Sequence, residues 1–196
     1  MKKLIIVFVF CLSLVSSINA QQNYLITSNS VGVVRLGMTV AQVRRILKGY
    51  KVKRRSSADG GALIDVNKGS KTTMTLYAGE EDSDATINEK AKIEFIEVWD
   101  ANYKTADGIR PKMPVKNAEK ILGKIERVFM SEIESREFVI FKKKPKGLLF
   151  RADVSTEGKY FTAGIYANGE RNGNRCVPTA YIISVQVSDY WSGLYN

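Results

Sequence analysis

Histidine is absent from all 196 residues of this chain, which removes the commonest general base and the commonest zinc ligand together. Triad, dyad and typical zinc chemistries are therefore not expected. Cys176 is the only cysteine beyond an N-terminal apolar run that holds Cys11, so no intramolecular disulfide is available to the rest of the chain. Arg171 and Arg175 are the neighbours able to activate its thiol; next to Val177, it reads instead as a small buried side chain. Glu80, Glu81, Asp82, Asp84 and Glu89 in G-E-E-D-S-D-A-T-I-N-E could offer oxygen ligands to calcium. They lack the D-x-[DN]-x-[DN]-G spacing and its glycine, so the run reads as a solvated loop between strands. Asp65, Glu94 and Glu97 are the carboxylates a histidine-free hydrolase would use, if two of them met in one cleft. No catalytic residue, metal ligand or cofactor is assigned.

Two further groups could carry recognition. Arg44, Arg45, Lys48, Lys51, Lys53, Arg54 and Arg55 place seven cations within twelve residues, and Lys142, Lys143, Lys144 and Lys146 surround Pro145. Such runs dock anionic lipid, polysaccharide or an acidic protein, or simply solvate a helix exterior and a turn. Trp99, Tyr103, Tyr166, Tyr181, Tyr190, Trp191 and Tyr195 gather near the ends of two apolar stretches and in the closing D-Y-W-S-G-L-Y-N. Aromatic side chains dominate both cores and interface hot spots. Gly60-Gly61 and Gly147 suit turns better than a phosphate-binding loop.

The N-terminus narrows the setting. Lys2 and Lys3, an apolar stretch from Leu4 to Val15 and a small residue at Ala20 read as a secretory signal peptide, too short to span a membrane. Cys11 lies inside the apolar stretch, so lipid attachment is not expected. Removing Lys2 and Lys3 lowers the formal charge from +10 to +8, still strongly basic. An exported protein of this charge is expected to meet acidic lipid, polysaccharide or protein rather than nucleic acid.

The elements that position these residues come in pairs. Thr39 and Gln42 form a capping box, and Val40, Val43, Ile46 and Leu47 supply an apolar stripe that closes at Gly49. The stripe recurs 75 positions later as Val115, Ala118, Ile121 and Leu122, with Pro114 in the first turn and Gly123 at the end. Period-two alternation follows in Lys71 to Tyr77, Arg136 to Phe141 and Gly147 to Val154. I-E-F-I-E-V-W-D from Ile93 is echoed by I-I-S-V-Q-V-S-D from Ile182, an offset of 89. The longer offset fits an insertion at Asn168 to Pro178, whose glycines, asparagines and proline mark a loop. The expectation is an α+β fold of two tandem helix-then-antiparallel-strand repeats, residues 21–104 and 105–196, after a signal peptide at 1–20. The helices would lie on one face of a continuous or paired sheet, leaving the other open.

Gly37, Met38, Thr39, Gln42, Val43 and Leu47 in G-M-T-V-A-Q-V-R-R-I-L resemble the helix-opening G-M-T-x-x-Q-V motif of a superfamily of exported bacterial proteins. It contains the β-lactamase inhibitory proteins, the SmpA/OmlA outer-membrane assembly lipoproteins and uncharacterised exported proteins with a G-M-T motif. Met113, Val115 and Leu122 keep part of the motif, with Lys112 and Pro114 in place of its glycine and threonine. The resemblance implies a short helical segment before an antiparallel sheet, in two tandem copies of nearly this length. It also implies a partner held on the concave sheet face, or a scaffold role at the outer membrane. The lipid-bearing cysteine of the assembly lipoproteins is absent.

These readings converge on an exported, periplasmic or secreted, non-enzymatic protein that binds a protein partner through an open sheet face and adjoining loops. Trp99, Tyr103, Tyr166, Tyr181, Tyr190 and Trp191 are the candidate contacts. The alternative is a basic peripheral protein that attaches to anionic lipid or envelope polysaccharide through Arg44, Arg45, Lys48, Lys51, Lys53, Arg54 and Arg55. A carboxylate hydrolase is the third reading.

Overall fold

The computed structural model describes residues 23–57, 60–131, 136–143, 145–155 and 161–192, with Trp191 and Ser192 described by their backbone alone. The expected signal peptide, Lys144, Tyr195 and the Trp191 side chain lie outside the described residues. Strands β1 (Leu25–Ile26), β2 (Ser30–Val31) and β3 (Val34–Arg35) lead into helix α1 (Val40–Ile46). There follow β4 (Lys51–Ser56), β5 (Ala62–Lys68), β6 (Lys71–Tyr77), β7 (Phe95–Val98) and β8 (Lys104–Thr105). Helix α2 (Val115–Leu122) precedes β9 (Ile125–Met130), β10 (Glu137–Phe141), β11 (Leu148–Asp153), β12 (Asn172–Gly173), β13 (Tyr181–Val187) and a 3-10 turn at Asp189–Ser192.

The main body is a nine-stranded sheet in the order β12-β9-β10-β11-β13-β7-β6-β5-β4, antiparallel at every junction. A small second sheet, β3-β2-β1-β8, contains one parallel pair, β1 with β8. The expected α+β class is thereby corrected. The chain is mostly β, about 40% strand and 11% helix. It is not a tandem of helix-then-strand units with a helical layer on one face. The physical reason is size: α1 has seven residues and α2 eight, each about two turns. Val40, Val43 and Leu47, or Val115, Ala118 and Leu122, cannot roof nine strands, and Ile46, expected in the stripe, is 39% exposed. The small sheet and the loops complete the cover.

One apolar cluster fills the space between this cover and the large sheet, joining both helices to Ile64, Val66, Met74, Leu76, Ile96, Val98, Phe150, Val185 and Val187. Period-two alternation sends the intervening residues to the opposite face. The two echoed stretches are neighbours in the sheet, β13 against β7 with Gln186 opposite Glu97. Among the described residues no helix is long and apolar enough to cross a membrane.

The helix-opening motifs are built as the local chemistry requires. Thr39 N–H donates to Gln42 Oε1 at 2.8 Å and Gln42 N–H to Thr39 Oγ1 at 3.2 Å, closing the capping box. Pro114 occupies the equivalent cap with no side-chain hydrogen bond. Gly37 N–H donates to Ile93 O at 2.7 Å and Lys112 N–H to Ile182 O at 2.6 Å, so the same turn is made twice. Gly37 adopts it at φ 79°, but Lys112 must do so at φ 65°, the one non-glycine residue with positive φ among those described. The left-handed conformation costs an L-residue roughly 1 kcal/mol. Lys112→Gly is therefore expected to stabilise the fold by about 0.5–1 kcal/mol, read as a higher denaturation midpoint; a lower one would contradict the assignment of strain.

Candidate functional site

The face of the large sheet away from the main core divides into an apolar and a polar part. On the β9–β11 side, Phe138, Ile140 and Leu149 form a separate small cluster with Phe129 against it. The Phe129 and Phe138 rings lie 5.5 Å apart, and the Arg127 guanidinium sits 4.7 Å from the Phe129 centroid. On the β4–β7 side polar residues stand among the outward Leu63, Tyr77 and Phe95, and they are wired across strands. Arg55 Nε donates to Asp65 Oδ2 at 2.9 Å, the Thr75 hydroxyl to Asp65 Oδ1 at 2.9 Å, and Trp99 Nε1 to Thr75 Oγ1 at 3.1 Å. Arg151 lies 5.4 Å from the Trp99 ring centroid, with its Nη1 3.7 Å from Glu97 Oε1. That oxygen also accepts from Ser184 Oγ at 2.5 Å and Gln186 Nε2 at 3.3 Å. Thr75, Glu97, Ser184 and Gln186 are all buried, which is tolerable for polar groups only when they are bonded.

Above this floor opens a cleft of about 860 Å³. Its rim takes Ser57, Gly60 and Gly61 from the β4–β5 turn, and Glu80 and Glu81 from the loop after β6. Tyr77, Phe95, Phe138 and Tyr190 supply aromatic walls, while Glu94, Glu97 and Gln186 line it from the central strands. Among the described residues four glutamates thus line it against one arginine, Arg136. A second hollow of about 530 Å³ shares Glu94, Ser188 and Tyr190, so Tyr190 and Glu94 stand between the two. Tyr190 is 67% exposed.

Arg54 holds one rim in place. Its two terminal nitrogens donate to the Glu80 carboxylate at 2.8 and 3.1 Å, and it also bonds the Ala85 and Thr86 carbonyls. Hydrogen bonding from Arg54 holds the Glu80 carboxyl below its ordinary value, against an opposing push from burial. This contribution to stability is present above the ordinary carboxylate pKa and is lost as pH falls through the lowered one. Among the described residues no group of three or more histidine, cysteine, aspartate or glutamate side chains is placed to hold a metal ion.

The aromatic candidates separate into distinct places. Trp99 belongs to the floor and Tyr190 to the cleft wall, as above. Tyr103 is 4% exposed inside the main core, edge-on to Tyr24, and burial, then the Tyr50 phenol, raises its pKa. Tyr166 spends its hydroxyl on Glu137 at 2.7 Å. Tyr181 is half-buried, with its pKa raised by burial and then by Asp153. The cationic run is not one patch either. Arg44 pairs with Glu89 at 2.8 Å, Arg54 with Glu80 and Arg55 with Asp65, which leaves Arg45, Lys48, Lys51 and Lys53 as exposed side chains that form no ion pair among the described residues. Lys51 and Lys53 lie on β4, the outermost strand, where lysine blocks edge-to-edge pairing. Of the three hydrolase carboxylates, Glu94 and Glu97 line the cleft and Asp65 does not.

Burial, then Glu137 and Glu119, pushes the Cys176 thiol up to about 12. A thiol raised from 9 to 12 holds roughly a thousandfold less thiolate at pH 8. Iodoacetamide labelling of the folded protein at pH 8 is therefore expected to be slow and to speed up with unfolding; rapid native labelling would contradict the raised pKa of this half-buried thiol.

Two contributors carried no sequence signal of their own. Gln186 looks like any outward residue of an alternating strand, and the available cue was that S-V-Q-V-S is polar on a strand otherwise this apolar. Glu137 accepts from Ala163 N–H at 2.6 Å, Gly164 N–H at 2.8 Å and Tyr166, partners 26 to 29 residues away.

No family model matches the chain, and no curated protein matches it. Among solved structures it is similar to the crystal structure of the uncharacterized protein yfeY from Escherichia coli, at TM-score 0.55 and 12% identity, over 84% of this chain and 99% of that one. At that identity the likeness concerns the fold alone.

Proposed function

We propose that this chain is an exported, non-enzymatic binding protein that holds a segment of a protein partner in the cleft on the outer face of its nine-stranded sheet. The observation that carries this reading is the cleft itself: about 860 Å³, walled by Tyr77, Phe95, Phe138 and Tyr190 and floored by a polar network. Aromatic walls with a few fixed polar groups are the composition of a binding site. The resemblance of its helix-opening motif to that of exported partner-binding proteins supports the same reading. Hydrolysis is the weaker account of the carboxylates, because Glu97 Oε1 is engaged by Ser184 and Gln186 and a general acid or base must reach substrate. Attachment to an anionic surface is weakened by the pairing of three of the seven cations. The test is capture of a partner from envelope extract by the wild type and by the double variant Tyr77→Ala/Tyr190→Ala. Loss of the captured protein from a variant of unchanged circular dichroism is expected, and equal recovery would overturn the proposal.

A further inference from the structure

We propose that the end of the cleft formed by Tyr77, Glu81, Glu94 and Tyr190 is a subsite for a cationic side chain, so that the segment it takes is a lysine- or arginine-bearing peptide. This rests on the binding reading above and gives it a chemical class. The chain carries a formal charge of +10, yet among the described residues this cleft is lined by four glutamates and one arginine. Glu80 is committed to Arg54 and Glu97 to Ser184 and Gln186. Among the described residues the exposed carboxylates of Glu81 and Glu94 form no ion pair or side-chain hydrogen bond. They stand beside the Tyr77 phenol, whose pKa is raised by burial and then by Glu94 and Glu81. Carboxylates next to phenol rings are the two halves of an ammonium or guanidinium site, one supplying charge and the other a ring face.

A second observation is independent of the acidic cluster. Gln186 lines the same cleft and is 3% exposed, yet its Oε1 is a buried acceptor with no partner. Its Nε2 donates to Glu97, which fixes the amide's orientation, so the open valence is an acceptor that calls for a donor. Lysine and arginine side chains bring only donors. An anionic or acceptor-rich segment would meet repulsion at Glu81 and Glu94 and leave Gln186 unsatisfied.

The probe is a capped tetralysine peptide titrated calorimetrically into the full chain at low salt, beside capped tetraglutamate and tetra(acetyl-lysine) peptides. Binding of tetralysine alone is expected, because the chain's net charge repels a polycation everywhere except at a locally acidic site. Glu81→Gln/Glu94→Gln should weaken it roughly tenfold, as should raising the salt. No tetralysine binding, or binding that the double variant leaves unchanged, overturns the subsite. The same variant in the extract capture separates the two proposals: a partner recovered equally well, but lost with Tyr77→Ala/Tyr190→Ala, removes the cation subsite and leaves the cleft. Self-association of the chain that the double variant abolishes would place a second copy in the cleft and overturn the peptide assignment.

Discussion

Alanine at Glu137 is expected to lower the unfolding free energy by about 3–5 kcal/mol. The carboxylate is 7% exposed and accepts from Ala163 N–H, Gly164 N–H and the Tyr166 hydroxyl. Removing it leaves the buried Ala163 and Gly164 N–H groups with no acceptor and releases the half-buried Tyr166 hydroxyl, and each buried loss costs about 1–3 kcal/mol. The consequence is not confined to one bond. Gly164 pairs with Cys176 through an isolated bridge, and Val177 N–H donates to Ala163 O at 2.8 Å. Glu137 thus ties both sides of the long excursion between β11 and β13 to the start of β10. A midpoint lowered by roughly 10 °C, with faster hydrogen exchange at Ala163 and Gly164, is the expected result. Glu137→Gln retains one acceptor oxygen but turns an N–H₂ group toward existing donors, so its loss should be intermediate. A midpoint equal to wild type in the alanine variant would remove this role.

The second large effect belongs to the cleft floor. Glu97→Ala removes the acceptor shared by Ser184 and Gln186 and the carboxylate 3.7 Å from Arg151. Ser184 and Gln186 are buried, and the Gln186 amide would then have neither end bonded. The expected cost is about 2–4 kcal/mol, measured by chemical denaturation. The effect extends to geometry, since Arg151 packs over Trp99 and Trp99 hangs from Thr75. Loss of the near-ultraviolet circular dichroism of tryptophan should therefore accompany the loss of stability. Retention of both would show that Glu97 does not organise the floor.

The parts that were legible in the residues are local. Thr39 and Gln42 satisfy each other three positions apart, so their capping box depends on nothing distant. Lys71–Tyr77 alternates cleanly and is a strand over those residues. β4 was hidden because K-V-K-R-R-S contributes only Val52 to the core and spends its other positions on charge, as an edge strand does. β5 was hidden in A-L-I-D-V-N-K, where Leu63 on the outer face breaks the apolar-polar alternation. With those strands missed, two helical stripes weighed too heavily and the fold class came out α+β. Tyr190, one of the aromatics of the closing D-Y-W-S-G-L-Y-N, lines the cleft. Tyr103 and Tyr166 have the same composition but are consumed internally, a distinction that only long-range partners make. Gln186 and Glu137 depend on contacts across strands and loops that no spacing encodes.

The central claim is that the partner sits on the outer face of the large sheet. A photoreactive phenylalanine analogue placed at Ser57, on the cleft rim, and in a second protein at Arg45, on the exposed side of α1, tests it directly. After irradiation in envelope extract, a cross-linked partner is expected from position 57 and not from position 45. Cross-links from 45 alone would contradict the account and return the interaction to the cationic edge.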